Sequence, residues 1–177
     1  AEALAREGAD VVVHHLRDGG NASSVVAAIR AAGRRGPALD ADLADRAALE
    51  RGVPDAVAFL GGLDILVSNA GICPFTPLRD LPWEVWDRTF AVNVKGHFNY
   101  VRATAPMMLE QRYGRIVTMS SMSAKLGGLH AVSKTCYAST KAAILGFTRG
   151  LARELAPHIT VNAVCPGLIA TDMTQSL

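Results

Sequence analysis

Apolar residues recur along this chain in two rhythms. Short apolar runs appear at residues 10–15 (with Val11-Val12-Val13), 37–40, 63–67 (Leu63-Asp64-Ile65-Leu66-Val67), 115–119 and 158–164. Their length and β-branched content predict five buried strands. Between them, apolar positions repeat at helical spacing. In 22–32, Val25, Val26, Ile29 and Ala32 share one face, with Asn21 or Ser23 as candidate N-cap and Gly33 as the stop. Residues 46–60 predict a second helix, against which Pro54 is a local objection, stopped by Gly61-Gly62. Residues 83–112 predict a long helix kinked at Pro106 and broken at Gly114, and 137–156 predict another. Residues 1–8 read as the end of a helix closed by Gly8.

Strands that alternate with helices and read as continuous apolar runs imply a parallel sheet covered on both faces. The expected class is therefore α/β, a doubly wound sheet in a three-layer α/β/α arrangement. Ligands bind such sheets outside the carboxyl ends of the strands. The Gly-rich and polar loops of this chain all follow strands, and so fall on that edge.

Composition narrows the picture. The 177 residues, half of them hydrophobic and 19% charged, suit one globular domain over 1–177. A net charge of +2, with Arg34-Arg35 as the longest basic run, gives no case for nucleic acid or an anionic membrane. Cys73, Cys136 and Cys165 are widely spaced and odd in number, which fits free thiols in a reducing cytoplasm better than disulfides or zinc. His97, His130 and His158 have no metal-like spacing and read as structural, with His130 also a candidate on the substrate side. No apolar run approaches the length of a membrane span, and the first residues lack the apolar core of a signal peptide.

The chemistry gathers around Tyr137-Ala138-Ser139-Thr140-Lys141. A Tyr and a Lys four apart on a helix share a face, and an ammonium beside a phenol stabilises the phenolate. Such a phenol can exchange a proton with an alcohol or carbonyl oxygen near neutral pH. Taken alone, the spacing is better explained by a structural surface pair. Three strand ends add to it. Ser68-Asn69-Ala70-Gly71 follows the third strand, where small residues let a flat ligand approach, although an Asx turn explains Asn69 equally. Ser120-Ser121 follows the fourth strand, and Pro166-Gly167 with Thr171 the fifth; both are also ordinary turn chemistry. Asn93, an amide in an apolar helical stretch, must find a buried partner or a water chain.

Together these residues resemble the short-chain dehydrogenase/reductase family, on the branch containing 3-oxoacyl carrier-protein reductases and glucose dehydrogenases. Asn69-Ala70-Gly71 matches the family's Asn-Asn-Ala-Gly segment, with Ser68 in place of the first Asn. Asn93, Ser121, Tyr137 and Lys141 match its Asn-Ser-Tyr-Lys tetrad in order. Residues 166–171 match the Pro-Gly segment, and Asp42-Leu43 the acidic pair near the adenine. The resemblance implies a Rossmann-type fold and hydride transfer between a nicotinamide cofactor and a carbonyl or secondary alcohol. It makes Tyr137 the acid/base, Ser121 the group that polarises the substrate oxygen, Lys141 the ribose and pKa partner, and Asn93 the holder of a relay water. Cofactor contacts would come from Arg17, Asp42, Leu43, Asn69, Ala70, Gly71, Tyr137, Lys141, Pro166, Gly167, Ile169 and Thr171.

Three departures accompany the resemblance. The family's Gly-rich phosphate turn and first strand would precede Ala1, and its last strand would follow Leu177, so a partial chain is expected. Ser121 and Tyr137 lie sixteen residues apart, an excess that an insertion in 125–135 would explain; Ser123 is the alternative, and Ser133 sits too near Tyr137. The end of the first strand here carries His14-His15-Leu16-Arg17 with no acid before Asp18, so Arg17 favours NADP over NAD. Cys73, Pro74, Phe75, Leu126, Leu129, His130 and Leu168 would give the substrate a mostly apolar pocket. A homo-oligomer, tetramer or dimer, would form through the 83–112 and 137–156 helices. A non-catalytic or truncated Rossmann-fold binding protein is the alternative of a different class. An epimerase or dehydratase would share the Tyr-to-Lys spacing but not residues 166–171.

Overall fold

The computed structural model describes residues 1–128 and 135–171. Readings that fall on Leu129, His130 and Ser133 lie outside the described residues. The chain forms two compact units, Ala1–Leu63 and Asp64–Leu177.

In the first unit, β1 (Val13–His15) pairs in parallel with β2 (Ala38–Asp40), His14 opposite Leu39. Pairing begins before the strand proper, because Val11 N–H already donates to the Arg35 carbonyl. That approach needs Gly36: a Cβ there would lie 2.1 Å from the Val11 carbonyl oxygen. The helices are α1 (Glu2–Arg6), α2 (Gly19–Ala31) and α3 (Arg46–Leu60). The start of α2 corrects the expected N-caps: Asn21 and Ser23 lie inside the helix, and the cap position falls at Asp18, whose carboxylate accepts from the Asn21 amide at 3.0 Å. Asp45 caps α3 by accepting from Ala48 N–H at 3.1 Å, Gly61 closes it at φ 83°, and the helix runs through Pro54. Val26, Ile29, Leu43, Leu49 and Val53 are buried. Arg34 and Arg35 are both ion-paired to Asp10, so one carboxylate offsets half the charge of the one basic pair.

In the second unit, β3 (Ile65–Ser68), β4 (Gly114–Met119) and β5 (Ile159–Val164) form a parallel sheet in the order β3-β4-β5. The register sets Ser68 beside Thr118 and Met119 beside Val164, so the three strands end level. Gly114, Ile116 and Thr118 are buried in alternation along β4, and the Thr118 hydroxyl meets that of Thr148 at 2.7 Å. Gly114 therefore opens a strand; the preceding helix is closed by Arg112, in the left-handed region at φ 55°.

The long helix is not one helix kinked at Pro106. It consists of α4 (Trp83–Phe90), a wide π-helical turn (Ala91–Lys95) and α5 (Gly96–Gln111), which carries Pro106 within it. The irregularity falls at Asn93, whose side chain bonds both backbone groups of Ile72. Such widened turns recur where a helix gives up its own bonding for a distant contact. The Ser- and Gly-rich loop after β4 holds a short α6 (Ser123–Leu126), and α7 (Thr135–Glu154) packs on β5 and α6.

Candidate active site

Because β3, β4 and β5 are parallel and end level, their carboxyl-end loops converge on a cleft of about 430 Å³. Asn69, Ala70 and Gly71 line it from β3, Met119 to Ser123 from β4, Pro166, Gly167, Leu168, Ile169 and Thr171 from β5, and Tyr137 and Lys141 from α7. Ten of the anticipated residues thus share one cavity: Asn69, Ala70, Gly71, Ser121, Tyr137, Lys141, Pro166, Gly167, Ile169 and Thr171. The loops are tied together, Ser120 N–H donating to the Val164 carbonyl and Met122 N–H to that of Pro166.

The two adjacent serines divide their work. Ser120 is buried and donates to the Lys141 carbonyl at 2.7 Å, fixing α7 to the end of β4. Ser121 faces the cleft beside the Tyr137 phenol, and its hydroxyl accepts from Ser123 N–H at 3.1 Å. Ser123 also lines the cleft, but the contact with Tyr137 is made by Ser121.

Lys141 is 3% exposed and donates from Nζ to the Met119 carbonyl at 2.7 Å. Its ammonium lies 5.6 Å from the Tyr137 ring centroid. Burial pushes its pKa down to about 8, partly offset by the neighbouring Cys73. The phenol departs from expectation. Burial raises the Tyr137 pKa, the hydrogen bond from Ser121 draws it back, and Cys73 raises it; Lys141 is not among the causes. With its pKa down at about 8, Lys141 has lost its charge before a phenol raised above 10 gives up its proton, and Nζ meanwhile is anchored on the Met119 carbonyl.

Asn93 stands behind the cleft, not in it. It is fully buried, with Oδ1 accepting from Ile72 N–H at 2.8 Å and Nδ2 donating to the Ile72 carbonyl at 2.8 Å and Thr140 Oγ1 at 3.1 Å. Every polar atom of the amide is engaged with protein, and its role here is to clamp the loop after Gly71 onto α7. Gly71 sits tightly in this clamp, since a Cβ there would lie 3.1 Å from Asn93 Oδ1 and 3.4 Å from Lys141 Nζ.

Arg17, Asp42 and Leu43 belong to the first unit. Arg17 follows β1 at φ 53°, and its backbone N–H donates to Asp40 Oδ1 at 3.0 Å while its side chain is exposed. Asp42 accepts from Ala44 N–H at 2.8 Å, and Leu43 is buried. Asp40 is an acid that the sequence reading overlooked: it follows a different strand from Arg17, and only sheet pairing brings the two together.

Of the anticipated apolar lining, Cys73, Phe75 and Leu168 face the cleft; Pro74 and Leu126 do not, and Leu126 is 54% exposed. Met119 and Met122 line it unanticipated. Their signal was position alone, flanking the serines at a strand end. Among the described residues, no group of His, Cys, Asp or Glu could hold a metal ion.

Small residues around an ammonium at the ends of parallel strands suit a flat, hydroxyl-rich cofactor, and known proteins agree with that architecture. The short chain dehydrogenase family matches residues 1–177. A 3-oxoacyl-(acyl-carrier-protein) reductase FabG from Staphylococcus aureus is 39% identical over 175 residues, 98% of this chain and 70% of that protein. An L-rhamnose 1-dehydrogenase (NAD(P)(+)) from Sphingomonas sp. is 40% identical over 97% of this chain and 67% of that protein. A short chain dehydrogenase from Burkholderia cenocepacia, solved in complex with NADP, superposes with a TM-score of 0.91 at 40% identity, over 99% of this chain and 71% of that one. This chain belongs to the short-chain dehydrogenase family of oxidoreductases. Its fold is that family's Rossmann-type α/β fold, and small molecules are the substrates on which the family acts.

Proposed function

We propose that this protein catalyses hydride transfer between NADP(H), or less readily NAD(H), and a carbonyl or secondary alcohol, using Tyr137, Ser121, Lys141 and Asn93. The observation that carries the reading is the meeting of Ser121 and Tyr137 on one cleft, with the Ser121 hydroxyl beside the phenol and the buried Lys141 in the wall. A substrate oxygen that meets both hydroxyls is polarised by one and exchanges its proton with the other.

The nicotinamide cofactor, when bound, supplies the hydride donor or acceptor carbon. The residues present fit it: Asn69, Ala70 and Gly71 offer backbone without bulk, Pro166, Gly167, Ile169 and Thr171 form the opposite lip, and Lys141 keeps donors for ribose hydroxyls. Arg17 would meet a 2′-phosphate, with Asp42 and Leu43 serving the adenine. Support for this cofactor choice comes from the NADP complex of the Burkholderia relative; a xylitol dehydrogenase structure with bound NAD+, 32% identical, keeps NAD in view. Asn93 acts through its clamp on the loop after Gly71, which keeps Lys141 in place.

The lining of Cys73, Phe75, Met119, Met122 and Leu168 suits a substrate with an apolar body. No helix among the described residues is long and apolar enough to cross a membrane, and three thiols without disulfides accord with a cytoplasmic location. A homo-oligomer would form through the groove between α5 and α7, where Phe98 is 47% and Leu109 42% exposed. Arg102 on one helix and Glu154 on the other flank that groove, so a two-fold copy could pair each with the other.

The test is to follow nicotinamide absorbance with NADPH, then NADH, against 3-oxoacyl thioesters, sugars and simple ketones. Turnover that vanishes in Tyr137→Phe supports the reading. Turnover that survives this change at full rate assigns the chemistry elsewhere.

A further inference from the structure

Buried polar side chains almost always find partners, and the exceptions point to ordered water or to function. Among the described residues, three of four buried side-chain atoms without a partner belong to two residues of the second unit: Ser68 Oγ and both ring nitrogens of His97. Ser68 ends β3 on its covered face, 2% exposed. His97 opens α5 one helical turn beyond Asn93 and is fully buried. α5 packs against β3, and the Ala70 carbonyl, two residues past Ser68, lies beside the imidazole without hydrogen-bond geometry.

Burial and the Lys141 charge hold the His97 pKa down at about 4, so the ring is neutral near pH 7 and presents one donor and one acceptor. Lys141 is the charged group acting on the ring, and the Ala70 carbonyl is the acceptor that opposes it. A hydroxyl, a carbonyl and a two-sided imidazole are the set of partners that an internal water requires.

We propose that His97 and Ser68 hold an ordered water behind the Ala70–Gly71 turn, and that His97 is thereby a positioning residue for Lys141. The second half rests on the Tyr137–Lys141 reading above. Gly71 is the physical link, because a Cβ there would press on both Asn93 Oδ1 and Lys141 Nζ. A turn held from behind by water keeps this wall still. A turn that relaxes loosens the wall that keeps water from the ammonium, whose burial is what holds its pKa down.

The test has two readouts that do not need turnover. A crystal structure of the protein should show water within hydrogen-bond distance of a His97 ring nitrogen and Ser68 Oγ, lost in His97→Leu and in Ser68→Ala. The midpoint of Lys141, read from the pH dependence of its acylation and referenced to Lys141→Arg, should move upward from about 8 by about half a pH unit or more in His97→Leu, because a relaxed wall admits water to the ammonium. His97→Gln, which keeps a donor and an acceptor, should restore the midpoint. Ser68→Ala is the smaller truncation and carries the test if His97→Leu does not fold. A dry contact between Ser68 and His97, or equal midpoints in the Leu and Gln variants, overturns the proposal. A protein that shows the water and the shift yet turns over no carbonyl refutes the oxidoreductase reading and leaves the water site standing.

Discussion

Lys141 and Arg17 are the two cations that the proposed function assigns to cofactor binding, and they are held in opposite ways. Lys141 is 3% exposed, its Nζ bonded to Met119 and its backbone carbonyl to Ser120. Arg17 has its backbone pinned by Asp40 and a left-handed φ of 53°, while its guanidinium stands in solvent. Proton transfer depends steeply on geometry and on pKa, so its groups must be held before substrate arrives. Phosphate recognition by an exposed guanidinium tolerates motion and gains its geometry on binding. The lysine is organised in advance, and the arginine would take its geometry from the ligand proposed for it.

Breaking the buried end should have the largest effects. Tyr137→Phe removes the transferable proton and should lower kcat by about 10²–10⁴-fold while NADPH affinity, measured by fluorescence titration, changes little. Asn93→Leu strips partners from the Ile72 backbone and from Thr140, and should cost about 2–4 kcal/mol of stability in urea unfolding. An effect confined to kcat, with stability intact, would mean that Asn93 serves chemistry directly and not the clamp.

The His97 titration sharpens the same contrast. Its pKa falls from 6.5 to about 4 on folding, so the unfolded chain binds the extra proton across that window. Stability is therefore complete above about pH 6.5 and declines as pH falls toward 4, by about 3 kcal/mol in all. Urea midpoints measured across this range should fall with pH, and the slope should be shallower in His97→Gln.

The smallest effect belongs to the exposed end. Arg17→Ala should weaken NADPH about 10-fold, leave NADH nearly unchanged and leave the unfolding midpoint within error. Equal losses for both cofactors would remove Arg17 from the 2′-phosphate site.

Much of this molecule was readable before its structure. The five apolar runs locate the five strands to within about three residues, because a strand buried in a parallel sheet must be apolar along a short continuous stretch. The loops after those strands name most of the cleft, because parallel strands send their carboxyl-end loops to one edge. The long helix was misread at Pro106 because proline is the strongest local signal of irregularity in that stretch. The actual break, at Ala91–Lys95, is set by contacts of Asn93 with residues 21 and 47 positions away.

What the sequence determines by itself is local: where the chain is strand or helix, which loops carry Gly, Ser and Asn, and that Tyr137 and Lys141 share a helical face. What only tertiary structure decides is environment. Ser120 and Ser121 are chemically identical neighbours, yet one is a buried tie to Lys141 and the other faces the cleft beside the Tyr137 phenol. Lys141 is pushed down to about 8 and Tyr137 upward by burial that no spacing encodes. His97 looked structural in sequence, and its unmet ring nitrogens exist only because α5 folds onto β3. Propensity and periodicity act over a few residues, whereas desolvation and hydrogen-bond satisfaction depend on every group that packing brings near.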